Sequence, residues 1–574
     1  MRSSDDLPPP RTRRRSRFQG SGRVIAVVVV VVAIVLLLSL RGLAGFWTDY
    51  LWFDSLDRTD VWRTVLGAKI GLTLIFGVVF FALLWINLMI ADRLAPPFRA
   101  AGPEEELLAR YHDIVAGRTL LVRTGASFLF ALIAGTGVSG RWEEWLLFLN
   151  RQDFGVEDPQ FGRDIGFYVF ELPFLSFLVS WAFVAIVVIF ILTTIAHYLN
   201  GGIRIQSISG DRVTPNVKVH LSVILAVLAL VKAADYWLDR FELTVSSRGV
   251  VDGALYTDVK AQLPAINLLM LISLFAVVLL VVNIRRRGWV LPVLAVGLWA
   301  FVAIVMGGIY PAVVQRFQVE PNETSKEALY TERNIEATRT AYQLTPEVDV
   351  SRQVFAYTQE LTADQIRANA STVRNARLLD PLTVAPTFER LQAEREFYRF
   401  PDLLDTDRYM IDGELTQVVL AARELNLSEV GGSWERKHVR LTHGYALALA
   451  RANTTTSEGR PDFQVGGLPA NVDPEIELTL DQPQIYHGED FGGYALVGAT
   501  VDEVDFVNSD TSEEVNSRYD GTSGVGIGSF LRKAAFALRF GEIDPLISNF
   551  VDGDTRVIYI RDVRQRVQKV APFL

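Results

Sequence analysis

The chain has 574 residues, half of them hydrophobic, and a mean hydropathy of +0.24, so it is too long for one domain and too apolar for an ordinary soluble protein. Its formal charge of −9 is unevenly placed: from residue 311 onward 27 Lys and Arg stand against 41 Asp and Glu. That acidic region argues against nucleic acid as a partner, since phosphates need a cationic surface, and the lack of cysteine excludes disulfides, thiolate nucleophiles and Cys-ligated metal centres.

Met1 to Gly22 is a short basic tail carrying Arg11, Arg13, Arg14, Arg15 and Arg17. The apolar run Val24 to Leu40 comes next, with no small-x-small cleavage site behind it, and reads as an uncleaved first membrane span. Further runs at Val65 to Ile90, Leu120 to Val138, Pro173 to Tyr198, Val219 to Val231, Ile266 to Val282 and Val290 to Ile309 bring the expectation to seven spans. Leu120 to Val138 is the weakest of them, because Arg123, Gly125, Gly135 and Gly137 dilute it.

Cytoplasmic loops are enriched in Lys and Arg. The basic tail, the cluster Arg93, Arg99, Arg110 and Arg118, the cluster Arg204, Arg212 and Lys218, and the turn Arg285 to Arg287 all fall on one side of a seven-span path. The expected localisation is therefore the cell membrane, multi-pass, with the N-terminus cytoplasmic and everything after Pro311 extracytoplasmic.

Two outer loops, Phe46 to Phe53 and Arg141 to Trp145, are dense in Trp and Tyr and are expected to lie along the outer leaflet, a substrate-binding aromatic platform being the sharper alternative. On the inner side, Pro103 to Glu106 opens a short helix reaching about Ala116. The spans are poor in charge. His220 and Asn87 are the best intramembrane polar candidates, read as helix contacts ahead of ion coupling.

Beyond Pro311 the pattern is that of a mixed α/β domain, residues 311–574, after a transmembrane domain at 23–310. Thr324 to Glu327 fits a capping box opening a helix to about Tyr342, and Thr387 to Tyr398 is a second helical candidate. Asp412-Gly413 signals a hairpin turn, and short β-like runs recur at Ile476 to Leu480, Tyr494 to Val501 and Arg556 to Ile560.

Several stretches together resemble one family, the uncharacterised protein family 0182 of bacterial multi-pass membrane proteins. They are Asp158-Pro159-Gln160-Phe161-Gly162-Arg163-Asp164-Ile165-Gly166-Phe167-Tyr168, Asp239 to Leu243, Arg333 to Arg339, Thr442-His443-Gly444-Tyr445 and Gly524 to Phe530, spread over most of the chain. The resemblance implies seven spans followed by a large exported region, and brings no activity with it. Members of that family usually continue for several hundred residues past a segment like Arg566 to Leu574, so the exported domain is expected to be incomplete at its C-terminus.

Gly521 to Ser529, entering Phe530 to Phe540, is a glycine-rich turn before a helix. Gly524, Gly526 and Gly528 with Arg532 make it a candidate anion site, against the plainer reading of helix entry and close packing. The phosphate-loop pattern fails at Ile527, where Lys is required. His443 and His487, with Glu489 beside the latter, are candidates for acid–base work, against ordinary hydrogen-bonded histidines; His438 lies in the same stretch. HExxH spacing, the calcium-loop pattern and a GxSxG elbow are all missing from the sequence, so no metal and no cofactor are expected. The leading expectation is a non-enzymatic cell-envelope protein that displays its acidic domain for envelope organisation or binding of an envelope protein, lipid or glycan. The alternatives are an envelope-modifying enzyme and a transport component.

Overall fold

A computed structural model describes residues 21–96, 117–204, 212–249, 251–345, 361–428, 430–508 and 511–573. The chain divides into two compact units, Met1–Trp62 with Tyr357–Leu574, and Arg63–Ala356. The basic tail up to residue 20 and the helix expected at Pro103 to Ala116 lie outside the described residues.

Helix α1 is Ser21–Ser55. Six further helices are long and apolar enough to cross a membrane by length and composition: α2 Thr59–Arg93, α3 Thr119–Leu149, α4 Phe167–Leu199, α5 Pro215–Val245, α6 Asp258–Arg286 and α7 Val290–Ala341. They match six of the seven expected runs, including the glycine-diluted one in α3. The remaining run, Val24 to Leu40, lies in α1, where several side chains fall outside the described residues.

In the second unit the helices turn apolar side chains outward, as Leu121, Phe301 and Val290 do, the reverse of a soluble core. Close approach comes from small residues: a Cβ on Gly135 would lie 2.6 Å from Thr73 O and 3.1 Å from Gly77 Cα, so α2 and α3 touch backbone to backbone. Helices α5 and α6 are joined by Asn283 Nδ2 donating to Ser222 Oγ at 2.9 Å, both residues buried.

Helix α7 runs from Val290 through π-type turns at Val305–Ile309 and Gln315–Val319 and a 3-10 turn at Glu320–Asn322 to Ala341. The capping box expected at Thr324 is therefore corrected. The helical stretch Glu323–Ala341 has Asn322 at its start with no side-chain cap, and the Glu327 carboxylate accepts instead from Tyr256 N at 2.8 Å. A continuing helix leaves no free N–H groups there for a cap to satisfy.

The first unit is built on a five-stranded antiparallel meander, β1 Asp405–Ile411, β2 Glu414–Ala422, β3 Leu447–Thr455, β4 Pro461–Gly466 and β5 Asn471–Val472, in that order. The expected hairpin stands between β1 and β2, with Asp412 at φ 55° and Gly413 at φ 72°, as a primed turn requires. Helix α8 is Pro381–Gln392, not Thr387 to Tyr398. Asp380 Oδ1 accepts from Leu382 N and Thr383 N at its start, while Glu394 at φ 60° ends it early enough for Tyr398 to join a strand.

Smaller ladders complete the unit. β6 Ala495–Val497 and β9 Val525–Gly526 flank β10 Arg556–Ile558, and β7 Glu503–Val507 pairs with β8 Glu514–Ser517. Gly498 at φ 62° cuts short the strand expected to reach Val501, and Ile476 to Leu480 contributes only an isolated bridge, Ile411 to Ile476.

One core of this unit is shared with α1. Leu51, Trp52 and Phe53 are buried with Val439, Leu496, Ile527, Phe536 and Val557. The aromatic segment expected to lie along the outer leaflet is thus corrected in its second half, which continues α1 as helix and enters the α/β core. Packing against it is α9 Phe530–Phe540, succeeded by α10 Asp544–Ile547 and, near the end, α11 Val563–Val570.

Candidate functional site

The peptide Thr442 to Tyr445 enters the interior of the α/β unit because Gly444 has no side chain: a Cβ there would lie 2.2 Å from Arg423 O. This brings His443 to the acidic strand β7. His443 Nδ1–H donates to Gly444 O at 2.9 Å, leaving Nε2 3.4 Å from Asp505 Oδ1 and 4.0 Å from Glu503 Oε2. Thr442 Oγ1 and Tyr486 OH both donate to Glu503 Oε2, the latter at 2.9 Å, and Gly498 N donates to its other oxygen at 3.3 Å.

Arg561, also fully buried, donates from Nε to Tyr486 O at 3.1 Å and from Nη2 to Thr442 O, with its guanidinium 4.4 Å from the Phe491 ring centre. Burial disfavours charge, so it raises the Glu503 carboxyl, lowers His443, and pushes Arg561 down to about 9, still cationic at neutral pH. The arrangement is an acid–base cluster walled off on all sides, with His443 and Glu503 each 1 % exposed. It can store charge and brace the strands around it. A substrate reaches it only if the wall opens.

His487 and Glu489 diverge. His487 Nε2 lies 3.2 Å from Ser523 Oγ, whereas Glu489 Oε2 accepts from Arg564 Nη2 at 3.1 Å. Burial, reinforced by the cations of Arg566 and Arg561, lowers His487 to about 4, so its ring is neutral at pH 7. His438 stacks on the Tyr494 ring at 4.0 Å and donates from Nδ1 to Tyr494 O at 2.9 Å. Among the described residues no three His, Asp or Glu side chains are grouped to hold a metal ion.

In the glycine loop, Arg532 Nη1 donates to Gly526 O at 3.0 Å and Lys533 Nζ to Val551 O at 2.6 Å, so both cations are turned onto backbone carbonyls. Ser529 Oγ caps α9 by accepting from Arg532 N at 3.4 Å. Gly528 is where the loop presses against its neighbour, since a Cβ would lie 2.7 Å from Gly553 O, and Gly524 takes φ 95° under Ile558. These contacts supply a packing reason for the glycines.

One cleft of the unit is a feature that sequence reasoning missed. It encloses about 470 Å³ between Arg399 to Pro401, Glu424 to Ser428, Lys437 with His438, and Asp490 with Gly492 and Gly493. Arg399 lies 3.6 Å from Asp490 across it, and the buried Glu424 carboxylate anchors one wall by accepting from Glu489 N and Asp490 N at 2.7 and 2.9 Å. Four chain segments contribute, so no local motif could have signalled it.

In the helical unit, Asn87 and His220 do meet, and His197 joins them. His220 Nε2 lies 3.1 Å from Asn87 Oδ1, and His220 Nδ1 lies 3.0 Å from His197 Nε2. The chain of bonds ties α2, α5 and α4 together. Three stretches quoted for the family resemblance also converge in this unit. Asp158 accepts from Gln160 N, Phe161 N and Tyr168 OH, Arg163 lies over the Phe167 and Phe241 rings, and Arg333 Nη1 donates to Gln160 Oε1 at 3.2 Å.

The model of the family described as "Uncharacterised protein family (UPF0182)" matches residues 25–574. A UPF0182 protein of Frankia alni is 42% identical over 92% of this chain and 51% of its own length, and one of Streptomyces coelicolor is 39% identical over 92% of this chain and 53% of its own. A third, from Thermobifida fusca, is 36% identical over 92% of this chain and 58% of its own length. The chain spans about half the length of the curated relatives it matches. No solved structure matches it.

Proposed function

This chain belongs to the UPF0182 family, and from that premise we propose that it is a multi-pass membrane protein whose acidic α/β domain is displayed on the extracytoplasmic side for envelope organisation or partner binding. The reading is carried by one observation, the entry of the end of α1 into the domain core. At 1.5 Å per residue the 35-residue α1 is about 52 Å long, more than the roughly 30 Å of a hydrocarbon core. Its apolar run ends at Leu40, and Leu51, Trp52 and Phe53 are core residues of the domain. The domain is therefore held at the far end of a helix whose near end adjoins an arginine-rich tail, and the positive-inside bias assigns that tail to the cytoplasm. The 470 Å³ cleft, with Lys437, Arg399 and Asp490 on its walls, is where the domain would receive a polar partner such as a glycan or a lipid headgroup.

The absence of cysteine makes the test clean. Single replacements Ser457→Cys, in the exposed turn before β4, and Arg286→Cys, in the triple-arginine turn, are probed in intact cells with a membrane-impermeant maleimide. The reading expects labelling of Ser457→Cys before lysis and of Arg286→Cys only after it. The opposite order places the domain inside and rejects the reading.

A further inference from the structure

Helix α9 runs down α1 in the opposite direction. Phe536 shares a core with Leu51 and Trp52; one turn on, Arg539 Nη1 donates to Gly45 O, Thr48 Oγ1 and Asp49 Oδ1 at 3.1, 2.7 and 2.8 Å. Gly541, at φ 77°, closes α9, and a Cβ on it would lie 4.0 Å from Arg41 Nη2. Arg41 directly succeeds Leu40, the last residue of the apolar run. Each step toward the end of α9 is thus a step along α1 toward the bilayer.

Past Gly541 the Glu542 carboxylate turns back into the domain, accepting from Trp434 Nε1 at 3.2 Å and from Tyr494 OH, while two isoleucines of the same segment are uncovered. Ile543 is 60% exposed and Ile547 64%, the first just before the short α10 and the second its last residue. On α1, Leu43 and Phe46, which flank the Gly45 carbonyl that Arg539 reaches, are exposed as well. Large apolar side chains left uncovered beside the end of the apolar run of α1 suit a bilayer interface better than an aqueous surface.

We propose that the Glu542–Ile547 segment is an interfacial anchor. Ile543 and Ile547 enter the leaflet beside α1 at the boundary between headgroups and hydrocarbon, so the domain is seated on the lipid surface and held at two points, through α1 and through α10. The occupant of this apolar face is the bilayer, argued from its continuity with the membrane-spanning helix. The inference rests on α1 being a span, and does not depend on which side the domain occupies.

The test uses the full chain in nanodiscs of neutral and anionic phospholipid at 7:3. Nitroxide labels are placed one at a time at Val30→Cys, Ile543→Cys, Ile547→Cys and Ser457→Cys, all exposed positions whose labelling spares the core. Collision with oxygen is compared with collision with a water-soluble nickel chelate. Residues 543 and 547 are expected to favour oxygen several-fold over Ser457→Cys, and by less than Val30→Cys. If 543 and 547 match Ser457→Cys while Val30→Cys stays lipid-exposed, the anchor is overturned and the span stands. If Val30→Cys is itself aqueous, α1 does not span, and both readings fall.

Discussion

Asp49 and Arg539 lie 490 positions apart in sequence, and their side chains meet at 2.8 Å, Arg539 Nη1 donating to Asp49 Oδ1. Lys569 Nζ donates to the same oxygen at 2.9 Å, and Tyr559 OH to Thr48 O at 2.9 Å. Three elements near the end of the chain are thereby clasped to the helix that begins it.

Asp49→Ala should loosen this clasp. The carboxylate is about a third exposed, so each ion pair is worth well under its buried value, and the loss should be about 1 to 2 kcal/mol. Thermal unfolding of purified protein in detergent reads it. A double-mutant cycle of Asp49→Ala with Arg539→Met should give a coupling near 1 kcal/mol, and additive effects would show that the pair contributes nothing.

Acid should weaken the domain through His487. Its folded value is about 4 against an ordinary 6.5, so the stability it contributes is complete above pH 6.5 and is lost as pH falls toward 4. Allowing for its partial burial, the loss should be about 1 to 2 kcal/mol. Glu503 acts with the opposite sign: its carboxyl is raised, so it favours the fold at low pH and that share is lost as pH rises. The His487 share is the difference between the parent chain and His487→Phe in melting temperature from pH 7 to pH 4, and parallel curves would remove it.

The glycine loop offers a paired comparison. Gly528→Ala forces a Cβ to within 2.7 Å of a backbone carbonyl and should cost about 2 kcal/mol or more, whereas Gly526→Ala meets only Arg532 Nη1 at 3.7 Å and should cost under about 1 kcal/mol. Equal costs would deny the packing account of the loop.

Between α2 and α3, Gly135→Leu should push two backbones apart and lower the melting temperature of the helical unit. Gly125→Leu, where a Cβ meets nothing within 4 Å, should leave it unchanged. A loss of similar size at both positions would point to a general intolerance of α3.

The hairpin at Asp412-Gly413 was legible because its signal is local, two adjacent residues able to take positive φ between alternating strands. The capping box at Thr324 misled for the complementary reason. A local motif cannot reveal that α7 has not ended, and Glu327 was recruited by Tyr256, 71 residues away. His443, Asn87 and His220 could be singled out from the sequence, but not what each would meet: Asp505, Glu503 and Tyr486 reach the first, while His220 bonds to Asn87 and to His197.

Runs and counts along the chain were enough to determine the apolar helices, the uneven placement of arginine and of acidic residues, and the family. Hydropathy and charge are properties of contiguous residues, so they survive without coordinates. Only the tertiary structure decided that the end of α1 is core to the distant α/β unit, that Asp49 meets Arg539 and Lys569, that His443 is enclosed, and that four separated segments wall one cleft. Those relationships depend on which distant faces exclude water together, and no window along the chain contains both faces at once.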